Sequence, residues 1–84
     1  MTREDAVKMV LDELDRAEKL HPHWPKDIVH AAAVVGEESG ELTQAALDLY
    51  YGKGSGYNVI TEAIQTAAMG IRLLVNFNGA GRSE

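Results

Sequence analysis

The chain contains no cysteine, so no disulfide can stabilise it, as is usual in a reducing compartment. It is also short: 84 residues bury only about 60–65% of the surface that the unfolded chain exposes. Small domains usually gain stability from disulfides, a bound metal or a partner chain. Because disulfides are excluded, we expect a metal or an oligomeric partner to support a single domain spanning residues 1–84.

Runs of basic residues and long apolar runs are missing too. The formal net charge is -5, and the lysines and arginines are scattered. Nucleic-acid binding needs a clustered cationic face, so we expect no nucleic-acid partner. No apolar run approaches the 18 residues typical of a membrane span, and the stretch MTREDAVKMV lacks the apolar region of a signal peptide. We therefore expect a cytoplasmic protein with no membrane partner.

Strand patterns are absent as well, and helical periodicity takes their place. Thr2 is a candidate N-cap of a first helix, with Asp5 completing a capping box, and Pro22 ends that helix. Apolar residues at spacings of three and four form its stripe, which comprises Val7, Val10, Leu11, Leu14, Ala17 and Leu20.

Two further helices follow. Pro25 suits the first position of the second helix, with Asp27 in its first turn and an end near Tyr50 or Tyr51. A third helix follows the turn GKGSG, with Ser55 or Asn58 as its N-cap. Residues 78–84 are expected to be a frayed tail. The second helix carries an apolar stripe of Ile28, Val35, Leu42, Ala46 and Leu49, and the third carries Ile60, Ala63, Ala67, Ile71 and Leu74.

These patterns predict an all-α fold in which each protomer contributes three helices. Three short helices leave apolar stripes exposed, so we expect the protein to oligomerise. Pairing the second and third helices of two chains would complete a four-helix-bundle core.

The segment GEESGEL, residues 36–42, concentrates acids on the second helix. Glu38 and Glu41 are three residues apart and Glu37 and Glu41 four apart, so each pair points in a similar direction. Gly36 and Gly40 each cost about 1 kcal/mol relative to alanine in a helix interior. They therefore indicate either a close helix contact or room for a ligand.

The third helix brings further oxygen ligands to the same level. In an antiparallel hairpin, Glu62 and Gln65 lie within about one turn of Glu38 and Glu41. Carboxylate oxygens are the preferred ligands of magnesium and manganese. The pattern predicts a divalent-metal site, and a solvated acidic face is the alternative.

The two acidic motifs also resemble a known family. EESGE (Glu37–Glu41) and EAIQ, which begins at Glu62, are similar to the E-E-x-x-E and E-x-x-D pattern of the MazG-like all-α nucleoside triphosphate pyrophosphohydrolases. The resemblance covers roughly residues 25–75 and is strongest to short, phage-borne or cassette-type members. It implies a homodimer or homotetramer that uses magnesium, with manganese as an alternative, to hydrolyse a nucleoside triphosphate to the monophosphate and pyrophosphate.

The resemblance also implies roles for individual residues. Glu38, Glu41 and Glu62 would bind the metal, with Glu38 at the reacting centre, and Glu37 would be a further ligand or would orient the attacking water. Gln65 stands where the family pattern has its final aspartate, and its amide oxygen can coordinate a cation without supplying charge. Either the chain works with fewer charges, or it is a catalytically degenerate nucleotide- or metal-binding or assembly module.

Three residues are candidates for substrate binding. Arg72 follows Glu62 by ten residues on the third helix and would contact phosphate; its alternative is a surface ion pair. Lys53 in the loop would do the same. Trp24 would stack on the nucleobase, and its alternative is to close the end of the bundle or an interface.

Overall fold

Three α-helices make up the fold in a computed structural model that describes residues 1–81. They are α1 (Arg3–Leu20), α2 (Ile28–Tyr50) and α3 (Gly56–Asn76). No strand occurs among the described residues, so the predicted all-α class is confirmed. Within the same range, no helix is both long and apolar enough to cross a membrane.

The N-terminal caps of α1 and α3 are those that the sequence indicates. The Thr2 hydroxyl accepts a hydrogen bond from the Asp5 amide at 3.0 Å, and the Asp5 carboxylate accepts one from the Thr2 amide at 3.2 Å. Ser55 caps α3 by accepting from the Asn58 amide at 3.2 Å. Each cap satisfies amides that the first helical turn leaves without partners.

The predicted start of α2 at Pro25 is wrong. The helix begins at Ile28, because Asp27 has extended backbone geometry and its carboxylate accepts from the His30 amide at 2.8 Å. An aspartate in that conformation is a strong N-cap, so the first helical residue lies three positions beyond Pro25. Pro25 consequently belongs to the linker between α1 and α2, and the predicted end of α2 at Tyr50 is confirmed.

α3 is the central helix of the protomer. It packs against both α1 and α2, whereas no Cα atom of α1 comes within 8 Å of α2 among the described residues. The core cluster between the helices is small and consists of Leu14 and Ala17 from α1 with Ala68 and Met69 from α3. Val34 and Val35 of α2 pack against its edge. α1 is thus attached to the α2–α3 hairpin through α3.

Apolar residues of the predicted α2 and α3 stripes remain exposed in the protomer. On α3, Ile60 and Leu74 are 45% and 72% exposed, and Ala63 and Ala67 are exposed too. Leu49 on the α2 stripe is 44% exposed. We call these exposed apolar residues the apolar hairpin face.

The solvent-accessible surface of the protomer is large for its mass, in keeping with these exposed apolar residues. Its accessible surface is 6134 Å². A folded monomer of 9.1 kDa is expected to expose about 4,900 Å², so the excess is about 1,200 Å². The protomer is also elongated, with extents of 47 × 26 × 21 Å. A lone chain therefore buries less surface than is usual for its mass.

The segment after α3 returns to the start of α2. Residues 78–81 are not helical, but the Gly81 carbonyl accepts a hydrogen bond from the Ile28 amide at 3.1 Å. This bond satisfies one of the free amides at the N-terminus of α2. The rest of the predicted tail, residues 82–84, lies outside the described residues.

Candidate metal centre

Three glutamates from two helices converge near the middle of the hairpin. Glu38 and Glu41 from α2 and Glu62 from α3 each place one carboxylate oxygen within 4.8 Å of the other two. The spacing of three residues brings the first pair to one side of α2, and the antiparallel hairpin brings Glu62 to the same level. We call these three side chains the acid cluster.

The tight turn between α2 and α3 sets that level. Gly52 adopts a left-handed backbone conformation, with φ of +75°, and its amide donates to the Leu49 carbonyl at 3.1 Å. The amides of Lys53 and Gly54 then donate to the Asp48 carbonyl at 2.7 and 3.2 Å. A residue with a side chain would be strained at Gly52, so this glycine contributes directly to the hairpin geometry.

The acid cluster is partly removed from solvent. Glu38 and Glu62 are half-buried and Glu41 is exposed. One oxygen of Glu38 and one of Glu62 (Oε2 in each) are buried and have no hydrogen-bond partner among the described residues. Burying a polar atom without a partner costs free energy, because its hydration is lost without replacement.

Burial and mutual repulsion change the acidity of these groups. Desolvation raises the pKa of Glu38, and the charges of Glu41 and Glu62 raise it further. Desolvation also raises the pKa of Glu62, with an added contribution from the charge of Glu41. The ionised cluster is therefore unfavourable without a compensating cation, and a divalent ion would supply that compensation.

Glu37 lies beside the acid cluster but does not converge with it. Its side chain is exposed, and its charge is the smallest of the influences that raise the pKa of Glu38. Gln65 follows Glu62 by three residues, which turns it about 60° around α3 from Glu62, towards α1. There it lines a groove with Thr61 and Glu13.

The structure does not support the expected phosphate contact of Arg72. This residue is 4% exposed, and its guanidinium donates to the carbonyls of His21 and His23 in the α1–α2 linker. It lies about 15 Å along α3 from Glu62, because ten residues separate them. Its alternative as a surface ion pair is wrong, since the residue is buried and its partners are carbonyls.

Trp24 has the packing role that the sequence offered as the alternative to base stacking. It is half-buried, packs against the core cluster and lies under the Arg72 guanidinium, whose carbon is 5.1 Å from the ring centre. The ring thus closes the linker end of the bundle through packing and a cation–π contact. Lys53 lies in the exposed loop, about 10–14 Å along the helix axes from the acid cluster.

Gly36 and Gly40 make no room at the acid cluster. Helix geometry places both glycines on the opposite side of α2 from Glu38. A Cβ atom built on either one would meet nothing within 4 Å. Neither glycine therefore makes a close helix contact within the protomer.

Glu13 and Arg16 of α1 are neighbours of the site that the sequence patterns left unassigned. The Glu13 side chain is only 15% exposed, and its charge contributes to the raised pKa of Glu38. Arg16 binds Glu13 through two hydrogen bonds of 2.8 and 2.7 Å. Glu13 falls between Val10 and Ala17 on the apolar stripe of α1. An acid within an apolar stripe was the signal from which the sequence could have indicated Glu13 as a neighbour of the site.

Comparison of the chain with protein-family models, with curated proteins and with solved structures finds no match.

Proposed function

We propose that the protein is a magnesium-dependent nucleotide pyrophosphohydrolase of the cytoplasm. It would hydrolyse a nucleoside or deoxynucleoside triphosphate to the monophosphate and pyrophosphate. The observation that carries the proposal is the convergence of Glu38, Glu41 and Glu62, with buried oxygens of Glu38 and Glu62 left without partners. The similarity of the two acidic motifs to the MazG-like pattern supports the choice of reaction.

The residues present fit a hard divalent cation. All three groups offer carboxylate oxygen, which magnesium and manganese prefer, and the oxygens lie close enough to share one ion after small rotations of the side chains. Such an ion, when bound, neutralises charge on phosphate oxygens and lowers the pKa of a bound water. Glu38, Glu41 and Glu62 would hold it.

Glu37 has a different role in this proposal. It is exposed next to Glu38 and outside the acid cluster, so its oxygens are available to a water molecule. We assign it as the base that accepts the proton when water attacks the α-phosphorus, while the bond to the bridging oxygen of pyrophosphate breaks. The pyrophosphate group leaves with the electron pair of that bond.

Pyrophosphate release from a panel of nucleoside triphosphates with magnesium tests the proposal. We expect Glu38→Gln and Glu41→Gln to lose at least about 100-fold in rate, because each removes a carboxylate from the cluster. Glu18→Gln, on an exposed part of α1, is the matched control and should retain full activity. No turnover of any nucleotide, or equal turnover in all variants, would overturn the assignment.

The second candidate is a catalytically degenerate module that binds a nucleotide or metal. Gln65 favours it, because an amide stands where the family pattern has an acid and turns towards α1. Gln65→Asp separates the two candidates. A large gain from near-zero activity supports degeneracy, whereas full activity in the unaltered protein excludes it.

The apolar hairpin face supports assembly with a second copy of the chain. Its residues Ile60 and Leu74 on α3 and Leu49 on α2 are exposed in the protomer, so two protomers can meet there and form a four-helix core. The excess exposed area of about 1,200 Å² exceeds the roughly 800 Å² that each partner buries in a standard interface. A homodimer, or a homotetramer built from two such dimers, is the expected state.

Sedimentation at micromolar concentration tests this assembly. Leu74→Glu, which places a charge on the face, should shift the protein towards monomer, and Val7→Glu on the exposed surface of α1 should not. An unaltered protein that sediments as a monomer would contradict the proposal.

A further inference from the structure

A groove runs between α1 and α3 on the side of the hairpin that carries the acid cluster. Its volume is about 370 Å³. Apolar side chains of Met9, Ile60 and Ile64 form much of its wall, and polar groups of Thr61 and Gln65 interrupt that wall. Ligand pockets commonly have this composition, an apolar lining with a few polar groups, and this size.

The groove and the acid cluster share an edge. Thr61 and Gln65 line the groove, and Glu62 of the acid cluster lies between them in the sequence. From α1, Glu13 also lines the groove and is close enough for its charge to affect Glu38. A molecule bound by the acid cluster at one end would therefore extend into this groove.

The groove contains a cation at the same edge. Among the described residues that line it, Arg16 is the positively charged one, and it is held by Glu13. The Arg16 side chain is 55% exposed, and exposed ion pairs contribute little to stability. The guanidinium can therefore leave Glu13 for a phosphate, with which it can form two parallel hydrogen bonds, at small cost.

An aromatic ring lies at the other end of the groove. Tyr57 is in the first turn of α3, and the residue is 76% exposed, so its ring is accessible to a ligand. Aromatic rings in such positions bind nucleobases by stacking, without strong selectivity among bases.

We propose that this groove binds the nucleoside part of the substrate, with Arg16 contacting a phosphate and Tyr57 stacking on the base. The inference rests on the proposed function and deepens it by assigning substrate contacts to α1 and to the start of α3. Arg16 supplies a positive charge that the acid cluster lacks. Tyr57 replaces Trp24 as the stacking residue, since Trp24 is engaged with Arg72.

Calorimetric titration with a non-hydrolysable α,β-methylene nucleoside triphosphate tests the groove without requiring catalysis. In the presence of manganese, Arg16→Gln and Tyr57→Ala should each weaken binding about tenfold or more, through loss of a charge-assisted hydrogen bond and of stacking. Arg3→Gln and Tyr50→Ala are the matched controls, and they should bind as the unaltered protein does. Arg3 lies about 20 Å along α1 from Arg16, and Tyr50 lies at the end of α2.

A parallel titration with manganese alone separates the groove from the acid cluster. Arg16→Gln and Tyr57→Ala should retain manganese affinity, while Glu38→Gln should lose it. If the groove variants bind the analogue normally, or change only the oligomeric state because a second copy occupies the groove, the inference is overturned and the proposed function stands. If the unaltered protein binds manganese but not the analogue, both are overturned.

Discussion

Two sites on α3 contain buried charge, and they differ in how that charge is satisfied. The Arg72 guanidinium has two carbonyl partners in the linker and the face of Trp24 beneath it. At the acid cluster, Glu38 and Glu62 retain buried oxygens without partners, and like charges surround them. Arg72 joins distant parts of the chain, whereas the glutamates repel one another.

This difference separates a structural residue from a candidate ligand-binding one. A buried charge with its hydrogen bonds satisfied holds the fold together, and its loss leaves carbonyls without donors. A buried carboxylate with a free oxygen destabilises the fold unless a cation compensates it. Removing the Arg72 charge should therefore lower the free energy of unfolding, whereas removing a glutamate charge from the acid cluster should raise it.

The largest effect is expected for Arg72→Met. The variant loses two hydrogen bonds from a charged donor and the contact with Trp24, so we expect the free energy of unfolding to fall by about 3 kcal/mol. Urea unfolding followed by Trp24 fluorescence would measure the change. Arg16→Met is the control and should stay within about 0.5 kcal/mol of the unaltered protein, because Arg16 is exposed. An equal effect of the two substitutions would show that Arg72 does not join the helices.

Metal binding is expected to have the next largest effect. At about 100 times its dissociation constant, magnesium or manganese should stabilise the folded protein by about 2.7 kcal/mol, because the unfolded chain lacks the assembled site. Thermal unfolding with and without the ion measures this. Glu62→Gln should abolish the stabilisation and make the metal-free protein about 1 kcal/mol more stable by removing a like charge. A metal-free Glu62→Gln protein that is less stable would mean that Glu62 stabilises the fold.

The smallest effect concerns pH. Because the pKa values of Glu38 and Glu62 are raised on folding, the folded protein keeps protons that the unfolded chain releases. The contribution of these two groups to the stability of the metal-free protein should therefore be greatest below the ordinary glutamate pKa of about 4.3 and decline as the pH rises through the raised values.

A Glu38→Gln/Glu62→Gln double variant is the control for this decline. Its unfolding free energy, measured across the same pH range, should show a flatter dependence. Metal binding should show the opposite trend and strengthen as the pH rises, since protons compete with the ion. If the stability of the double variant declines with the same slope, groups other than Glu38 and Glu62 cause the pH dependence.

Local signals were sufficient to predict most of the fold. Thr2, Asp5 and Ser55 fix helix starts through caps formed within three residues, so the sequence indicates them directly. The start of α2 was misplaced because Pro25 and Asp27 are both acceptable near a helix start, and only the backbone geometry decides between them. The convergence of Glu62 with Glu38 follows from helix spacing and a short turn.

The neighbours of the acid cluster were harder to predict, because they depend on how α1 packs. Periodicity places Arg72 on α3, but the carbonyls that bind it lie 49 and 51 residues away in the chain. Glu13 and Arg16 reach the site only because α1 lies against α3. The spacing of residues within one helix does not indicate such long-range contacts.

The attachment of α1 through α3 alone has a consequence for how specificity can evolve. The three glutamates belong entirely to the α2–α3 hairpin, while α1 forms one wall of the neighbouring groove. Under the proposed function, substitutions at Met9 and Asp12, which line this groove, should therefore change nucleotide binding while the acid cluster stays intact. Diversifying those two positions and selecting on different nucleotides would be a direct route to new substrate preferences.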